Sequence, residues 1–490
     1  MYGVNANQSG APRLRRIEWF KGRPLWLALR TCAGHAGHRM RVAMRSNNFF
    51  VYSIVVFALA LRIASGPTAN MSYFILALLA LFGRQAAIQA LALCWLFTML
   101  SSGIAPPASL GGVGRYAIIL AAFLSVFGRY HARNYSPPQK KLIMLTIAMG
   151  IFFLLHSLAL SKVVDVSVLK VVSWTVTTVT LFAAWGSLTA GQSEQLMRQL
   201  FSGLTLILLA SVPLAALPIG YMNNGTGFQG ILNQPQAFGP TMALLGVWSA
   251  MGMLTASRPT LRALLLSGAC LTAVFMSEAR TAGLALILGL IVSVVGSATV
   301  SRRPVVKLFP GLRSSRVRVL GVLALSAFVG FTLLGGVDTF LAKRGGTSNV
   351  VDAYQLSRGG LMEKMQENIK QSPFTGVGFG IASIPSEMTV LRDPIFNIPI
   401  GASVEKGVMP LAILEEVGVF GALFFLFWLW FVFRLALARG GKAVGLLFTI
   451  ILLNFGEAVL FSVGGLGLLP LVLLTSIVSR QSREQERNGA

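Results

Sequence analysis

The side chains in this sequence that can do chemistry are a few charged residues at the edges of long apolar runs. Arg280 opens one such run within Ser277–Gly283, and Arg358 opens a stretch of helical periodicity. Glu405 and Lys406 stand just ahead of another run, Glu415 and Glu416 fall a few turns into it, and Glu457 lies near the end of the next. An ion in hydrocarbon is costly, and tends to be paired or functional. Arg62 and Arg115, beside the ends of two runs, read as snorkelling to the interface. Arg280 and Arg358 read as functional. A helix over 357–371 puts Arg358 in its first turn, where open amides and the helix dipole favour an anion. A guanidinium stays charged and presents a planar fork of donors, which suits a diphosphate better than a lysine would.

Other chemistries find little support. No Asp-x-Asp pair occurs, which argues against a metal-dependent transferase using nucleotide sugars. Cys32, Cys94 and Cys270 fall in the N-terminal tail and in two apolar runs, so neither a disulfide framework nor a metal site follows.

The frame for these residues is lipid. Of 490 residues 54% are hydrophobic and 12% charged, more apolar surface than one soluble core absorbs. A spanning helix needs about 20 mostly apolar residues, because nothing in the bilayer core satisfies open backbone groups. Such runs lie at roughly 49–64, 71–83, 86–101, 114–128, 142–160, 168–188, 199–217, 236–254, 260–276, 281–298, 319–335, 409–433, 443–459 and 461–479. They predict an all-α polytopic membrane protein of about 12–14 transmembrane helices. The second and third runs, separated only by Gly83, Arg84 and Gln85, read as two half-helices or one broken span. The predicted order is a basic tail over 1–48, transmembrane helices over 49–335, a large loop over 336–408, more transmembrane helices over 409–479 and a short tail over 480–490.

Most of the 41 Lys and Arg residues fall in the tail 1–48 and in alternate turns, around Arg84, Arg129, Arg258, Arg302 and Arg434. This is the positive-inside bias, and it predicts both termini in the cytoplasm and the loop 336–408 outside. The net charge of +25 is then matched to anionic lipid headgroups, with no call for nucleic acid. The tail lacks a cleavable signal pattern. Its Trp19, Phe20, Leu25, Trp26 and Leu27 fit either a segment on the inner membrane face or disorder.

Long loops in compact proteins are usually functional. Within 357–371 Leu361, Met362, Met365 and Ile369 recur at helical spacing among Glu363, Lys364, Glu367 and Lys370, which predicts an amphipathic helix on the outer surface. Ser372 and Pro373 end it. The run Gly376-Val377-Gly378-Phe379-Gly380 has no following helix, so it reads as a tight turn built for close backbone packing, not as a dinucleotide fingerprint.

Four blocks in order resemble the O-antigen ligase and polysaccharide polymerase superfamily. They are Gly230–Gly239 (GILNQPQAFG), Ser277–Gly283 (SEARTAG), Ser357-Arg358 leading to Pro373–Gly380 (PFTGVGFG), and Leu414–Gly421 (LEEVGVFG). They cover the second half of the chain; the first half is similar only in hydropathy. The resemblance implies a type-C glycosyltransferase of the bacterial inner membrane with a periplasmic active site. Such an enzyme moves a glycan from an undecaprenyl-diphosphate carrier to an acceptor hydroxyl on a glycan or lipid-linked glycan, with inversion and without a metal or other cofactor. Arg280 and Arg358 match the family's diphosphate-binding arginines. Gln234, in the first block, and Lys406 count with them as substrate-binding.

One departure matters. Ligases carry a His-Asn or similar pair eleven residues before the glycine of the last block, and counting back from Gly418 gives Gly407. None of His35, His38, His131 and His156 falls in an outside loop, so Glu405 becomes the candidate general base. The plainer reading is that Glu405 and Lys406 pair with each other. The missing histidine favours a polymerase that joins lipid-linked repeat units into exopolysaccharide, capsule or O-antigen, alongside chain-length regulator and export proteins. The alternative is a ligase delivering glycan to the lipid A-core of lipopolysaccharide or to a protein. A transporter or flippase would instead hold charges near the midplane on broken helices, often in an internally repeated architecture. No repeat is evident, and the candidate charges cluster toward the outside.

Overall fold

The computed structural model describes residues 51–129, 135–222, 225–333, 350–393, 397–402, 404 and 406–479. The basic tail 1–48, loop residues 336–349, Glu405 and the tail 480–490 lie outside the described residues, as do the side chains of 350–358 and 361. Contacts divide the chain into Met1–Ile54 and Val55–Ala490, and the second unit carries the helical bundle.

In chain order the helices are α1 (Val51–Ala64), α2 (Gly66–Leu81), α3 (Arg84–Met99), α4 (Gly111–Phe127), α5 (Pro137–Leu160), α6 (Val164–Gly186), α7 (Ala190–Ser211) and α8 (Pro235–Thr255). They continue as α9 (Leu261–Met276), α10 (Arg280–Ser301), the single turn α11 (Val305–Leu308), α12 (Ser315–Leu333), α13 (Val350–Gln371), α14 (Met409–Leu437), α15 (Gly441–Leu453) and α16 (Leu468–Ser479). The one sheet among the described residues is a two-stranded antiparallel hairpin, β1 (Val390–Arg392) with β2 (Pro399–Ala402).

This is the architecture of an all-α membrane protein. Among the described residues, six helices are long and apolar enough to cross a bilayer: α5, α6, α7 with its 3-10 extension to Ala216, α8, α10 and α14. The larger number of crossings expected from hydropathy rests on shorter apolar helices, among them α1, α2, α4, α9, α15 and α16. The runs at 443–459 and 461–479 show why hydropathy overcounts helix length. Helix α15 stops at Leu453, and the apolar chain after it folds as a loop around Asn454, whose Oδ1 accepts from the amides of Val459 and Leu460 at 3.0 and 2.8 Å.

Local chemistry sets several boundaries. Ser65 and Thr68 form a reciprocal capping box at the start of α2, as Thr189 and Gln192 do at the start of α7. Gly83, at φ 133°, turns the chain between α2 and α3. The Tyr73 and Phe97 rings then meet at 6.0 Å, so these helices fold back side by side instead of forming one broken span. Helix α13 begins at Val350, ahead of the expected start at Ser357, because nothing in Val350–Leu356 breaks it. Arg358 is therefore two turns inside the helix, and the open first-turn amides expected beside it are elsewhere.

The inter-helix turns gather at two ends. At one end Ser101 N donates to Ile231 O at 2.9 Å, Phe228 N to Met276 O at 2.9 Å, Lys162 N to Val377 O at 3.4 Å and Met409 N to Asn454 O at 3.0 Å. The loop segments 373–402 lie at this end. At the other end Gln139 Nε2 donates to Ser479 O at 2.6 Å and Arg316 to Pro259 O at 3.4 Å, among basic turns that include Arg129, Arg258, Arg302 and Arg439.

Helices α6, α8 and α16 form the interior; every residue of α16 is buried. At the loop end an aromatic cluster closes the core. Phe461 lies against Phe153, Trp174, Phe379 and Phe425 at centroid distances of 6.3, 5.1, 5.1 and 5.4 Å.

A seam of small residues locks α10 to α15. Ala285, Gly289, Ser293 and Ser297, each four apart, face Gly441, Gly445 and Thr449. Ser293 Oγ donates to Gly441 O at 2.5 Å, and a Cβ on Gly445 would stand 2.8 Å from that of Ser293. A Cβ on Gly289 would overlap the Thr449 hydroxyl. Such surfaces let helix backbones approach closely where lipid supplies no hydrophobic drive between helices. Gly289→Val is expected to lower stability by about 1–3 kcal/mol through overpacking. Gly268→Val, at a glycine facing open space, is expected to melt near the parent temperature when both are followed by thermal unfolding in detergent.

Candidate functional site

Helix α14 is broken. Gly418 sits at φ 64°, ψ −172° inside it, which frees backbone groups that would otherwise bond along the helix. The loop segment Pro373–Gly380 occupies the break. Val377 N donates to Glu415 O at 2.8 Å, Gly378 N to Glu416 O at 2.9 Å, and Val419 N to Pro373 O at 2.9 Å. Glycine is required on both sides. Gly376, Gly378 and Gly380 all have positive φ, and a Cβ on Gly376 would lie 2.6 Å from the Glu416 carbonyl carbon. A Cβ on Gly418 would overlap the Phe374 carbonyl. Phe379, 1% exposed, plugs into the aromatic core and stacks on Phe153 at 5.1 Å. The glycine run thus does the close packing read from its sequence.

Around this break lies a cluster of buried charge. Glu415 is 0% exposed, Lys406 4% and Glu416 7%. Lys406 Nζ donates to Glu415 Oε2 at 2.5 Å and stands 3.4 Å from Glu416 Oε1. Asn368 Nδ2 donates to Glu415 Oε1 at 2.6 Å, and Ser383 Oγ to Oε2 at 3.1 Å. The Gly380 amide donates to Glu416 Oε2 at 2.7 Å, while its carbonyl accepts from Lys170 Nζ of α6, so Gly380 bridges the two. Two carboxylates and two ammonium groups give formal neutrality, and the hydrogen bonds satisfy the remaining lone pairs that burial would penalise.

The first two blocks form a second clasp. Glu278, at φ 53°, accepts from Gly227 N at 3.3 Å. A Cβ on Gly239 would lie 2.6 Å from that of Ala279, so the starts of α8 and α10 touch. Gln234, half-buried, is the N-cap residue of α8, and its carbonyl accepts from Ala237 and Phe238. Arg280, also half-buried, is the first residue of α10, behind Ala279, which makes no side-chain cap. The helix start expected beside Arg358 is therefore found beside Arg280.

The segment 454–460 joins the two clasps. Ala458 N donates to Lys406 O at 3.1 Å and Met409 N to Asn454 O, while a Cβ on Gly456 would strike Thr281, the residue after Arg280. Gln234 and Arg280 thus share one clasp and Lys406 belongs to the other. Lys406 is paired with Glu415 and Glu416. Arg358 is placed by its backbone in α13, and Glu405 lies outside the described residues.

Several residues have partners that their sequence context does not show. Arg62, 5% exposed, donates to the carbonyls of Phe97 at 3.2 Å and Pro106 at 2.6 Å. Arg115 donates to Ile400 O at 2.6 Å and to Gly464 O. Neither snorkels as expected; each donates to backbone carbonyls, Arg62 in the last turn of α3 and in the loop after it, Arg115 in β2 and in the loop before α16. His156, assigned to a span, reaches the loop after all, donating through Nε2 to Thr375 O. Lys170 carried the one available signal, a lysine in an apolar run with no carboxylate at helical spacing to pair it. Asn368 and Ser383 carried none. No family model matches this chain, and no curated protein matches it.

Lys406→Met leaves two buried carboxylates short of a counter-charge and is expected to cost about 3–5 kcal/mol. The double change Lys406→Met with Glu415→Gln is expected to recover part of that loss. Thermal unfolding of the single and double variants in one detergent checks both; equal melting of the single variant and the parent would show that the pair contributes nothing.

Proposed function

We propose that this chain is a membrane glycosyltransferase that polymerises undecaprenyl-diphosphate-linked repeat units into a surface polysaccharide at the periplasmic face of a bacterial inner membrane. The observation that carries the reading is the meeting of the sequence blocks. Parts of all four, far apart in the chain, are linked at one end of the bundle through 454–460. The gathering of basic turns at the opposite end supports an orientation with the loop outside.

In this reading Arg280 and Arg358 hold the diphosphate of the lipid carrier. The acceptor hydroxyl oxygen attacks the anomeric carbon, the bond from that carbon to phosphate oxygen breaks, and its electron pair leaves with the diphosphate. Glu405 takes the hydroxyl proton. Charge grows on the leaving diphosphate as the bond lengthens, so guanidinium donors fixed in place lower the barrier. The open amides at the start of α10 add to Arg280 in the same direction.

A second reading has one observation in its favour. A broken helix carrying buried charges is also how transporters build their sites. Here the break lies about 13 Å from the start of α14 at 1.5 Å per residue, and its charges are formally balanced. Transport of a labelled glycan lipid by purified protein in liposomes, with no glycosidic bond formed, would favour that reading.

Arg280→Ala and Arg358→Ala are each expected to lower polymer formation by about 10²- to 10³-fold while the protein inserts and purifies normally. Glycan profiling of a null strain is expected to show short unpolymerised repeats. Long polymer stranded on the carrier would point to the ligase alternative, and normal polymer from both arginine variants would remove the assigned roles.

A further inference from the structure

We propose that Glu415 is a positioning residue that fixes α13, and with it Arg358, against the broken helix α14; the catalytic part of this inference rests on the proposed diphosphate-binding role of Arg358. Helix α13 packs principally against α14. Its inward face at that contact is Met365, 0% exposed, and Asn368, 8% exposed, one turn apart. Among the described residues, the side-chain hydrogen bond that joins the two helices runs from Asn368 Nδ2 to Glu415 Oε1 at 2.6 Å. The same Asn368 amide group also donates to Ser383 O at 2.8 Å, so one side chain ties α13 to both the helix and the loop.

Glu415 is itself immobilised from several directions. Its other carboxylate oxygen accepts from Lys406 and Ser383, and its backbone carbonyl accepts from Val377. A bond to a charged acceptor in a low-dielectric site is stronger than a neutral one and tightly directional. Asn368 is ten residues from Arg358, about 15 Å along a continuous helix. A small swing at the tether therefore becomes a displacement of several ångströms at the arginine. Glu416 plays a different part: it holds the Gly380 turn, not α13.

The test uses the full chain in lipid nanodiscs with Cys32, Cys94 and Cys270 replaced by serine. Spin labels at Lys364→Cys on α13 and Leu426→Cys on the exposed face of α14 report the distance between the helices by pulsed electron paramagnetic resonance. Asn368→Ala cuts the tether yet leaves Glu415 paired with Lys406 and Ser383, so the bundle is expected to stay folded. The distance distribution should broaden or split in Asn368→Ala and in Glu415→Gln, and stay narrow in Glu416→Gln. Polymer formation in Asn368→Ala should fall about a hundredfold, the scale on which misplacement acts. An unchanged distribution in both Asn368→Ala and Glu415→Gln would overturn the tether. A broadened distribution with polymer formation unchanged would leave the tether standing and remove the role given to Arg358.

Discussion

A helix broken inside a membrane protein exposes amide and carbonyl groups that lipid cannot satisfy, and the loop end of this molecule is organised around meeting that demand at Gly418. The loop segment Pro373–Gly380 supplies the missing partners through Val377, Gly378 and Pro373. It can approach that closely only because four glycines with positive φ remove the side chains that would intervene. Phe379 then anchors the segment in the aromatic core, so loop and bundle share one interior.

The two arginines of interest are held by contrasting means. Arg280 begins a helix that is seamed to α15 through small residues from Ala285 to Ser297, which leaves it little freedom to shift. Arg358 rides on α13, whose principal neighbour is α14 and whose cross-helix bond is Asn368 to Glu415. The helix that carries Arg280 is therefore held by packing and the one that carries Arg358 by a polar clamp. Packing resists motion in every direction, whereas a clamp can open when its partners change.

Much of this was legible in the sequence, for identifiable reasons. Apolar runs reported the bundle, because lipid exposure leaves a signature in composition. The glycine run reported close packing, because glycine is the residue that tolerates both positive φ and an approaching backbone. The start of α13 falls before Ser357 because the apolar spacing that marks the helix runs only from Leu361 to Ile369, while nothing before it stops a helix already under way. Arg62 and Arg115 were misread because their partners are backbone carbonyls, which every residue carries and no sequence marks. His156 and Lys170 were passed over because membership of an apolar run says nothing about which turn of it touches a loop. The hairpin β1–β2 left no trace in the apolar pattern, since three- and four-residue strands are too short to establish alternation.

The buried pair Glu415 and Glu416 also bears on biogenesis. A segment with two adjacent carboxylates enters lipid at a substantial cost unless counter-charges and donors await it. Every partner named for these carboxylates precedes them in the chain: Asn368 in α13, the Gly380 turn, Ser383 and finally Lys406. During N-to-C synthesis the receiving groups are therefore made before the helix that needs them, so α14 can be delivered into a neutralising socket as it leaves the ribosome instead of waiting, charged, in the bilayer.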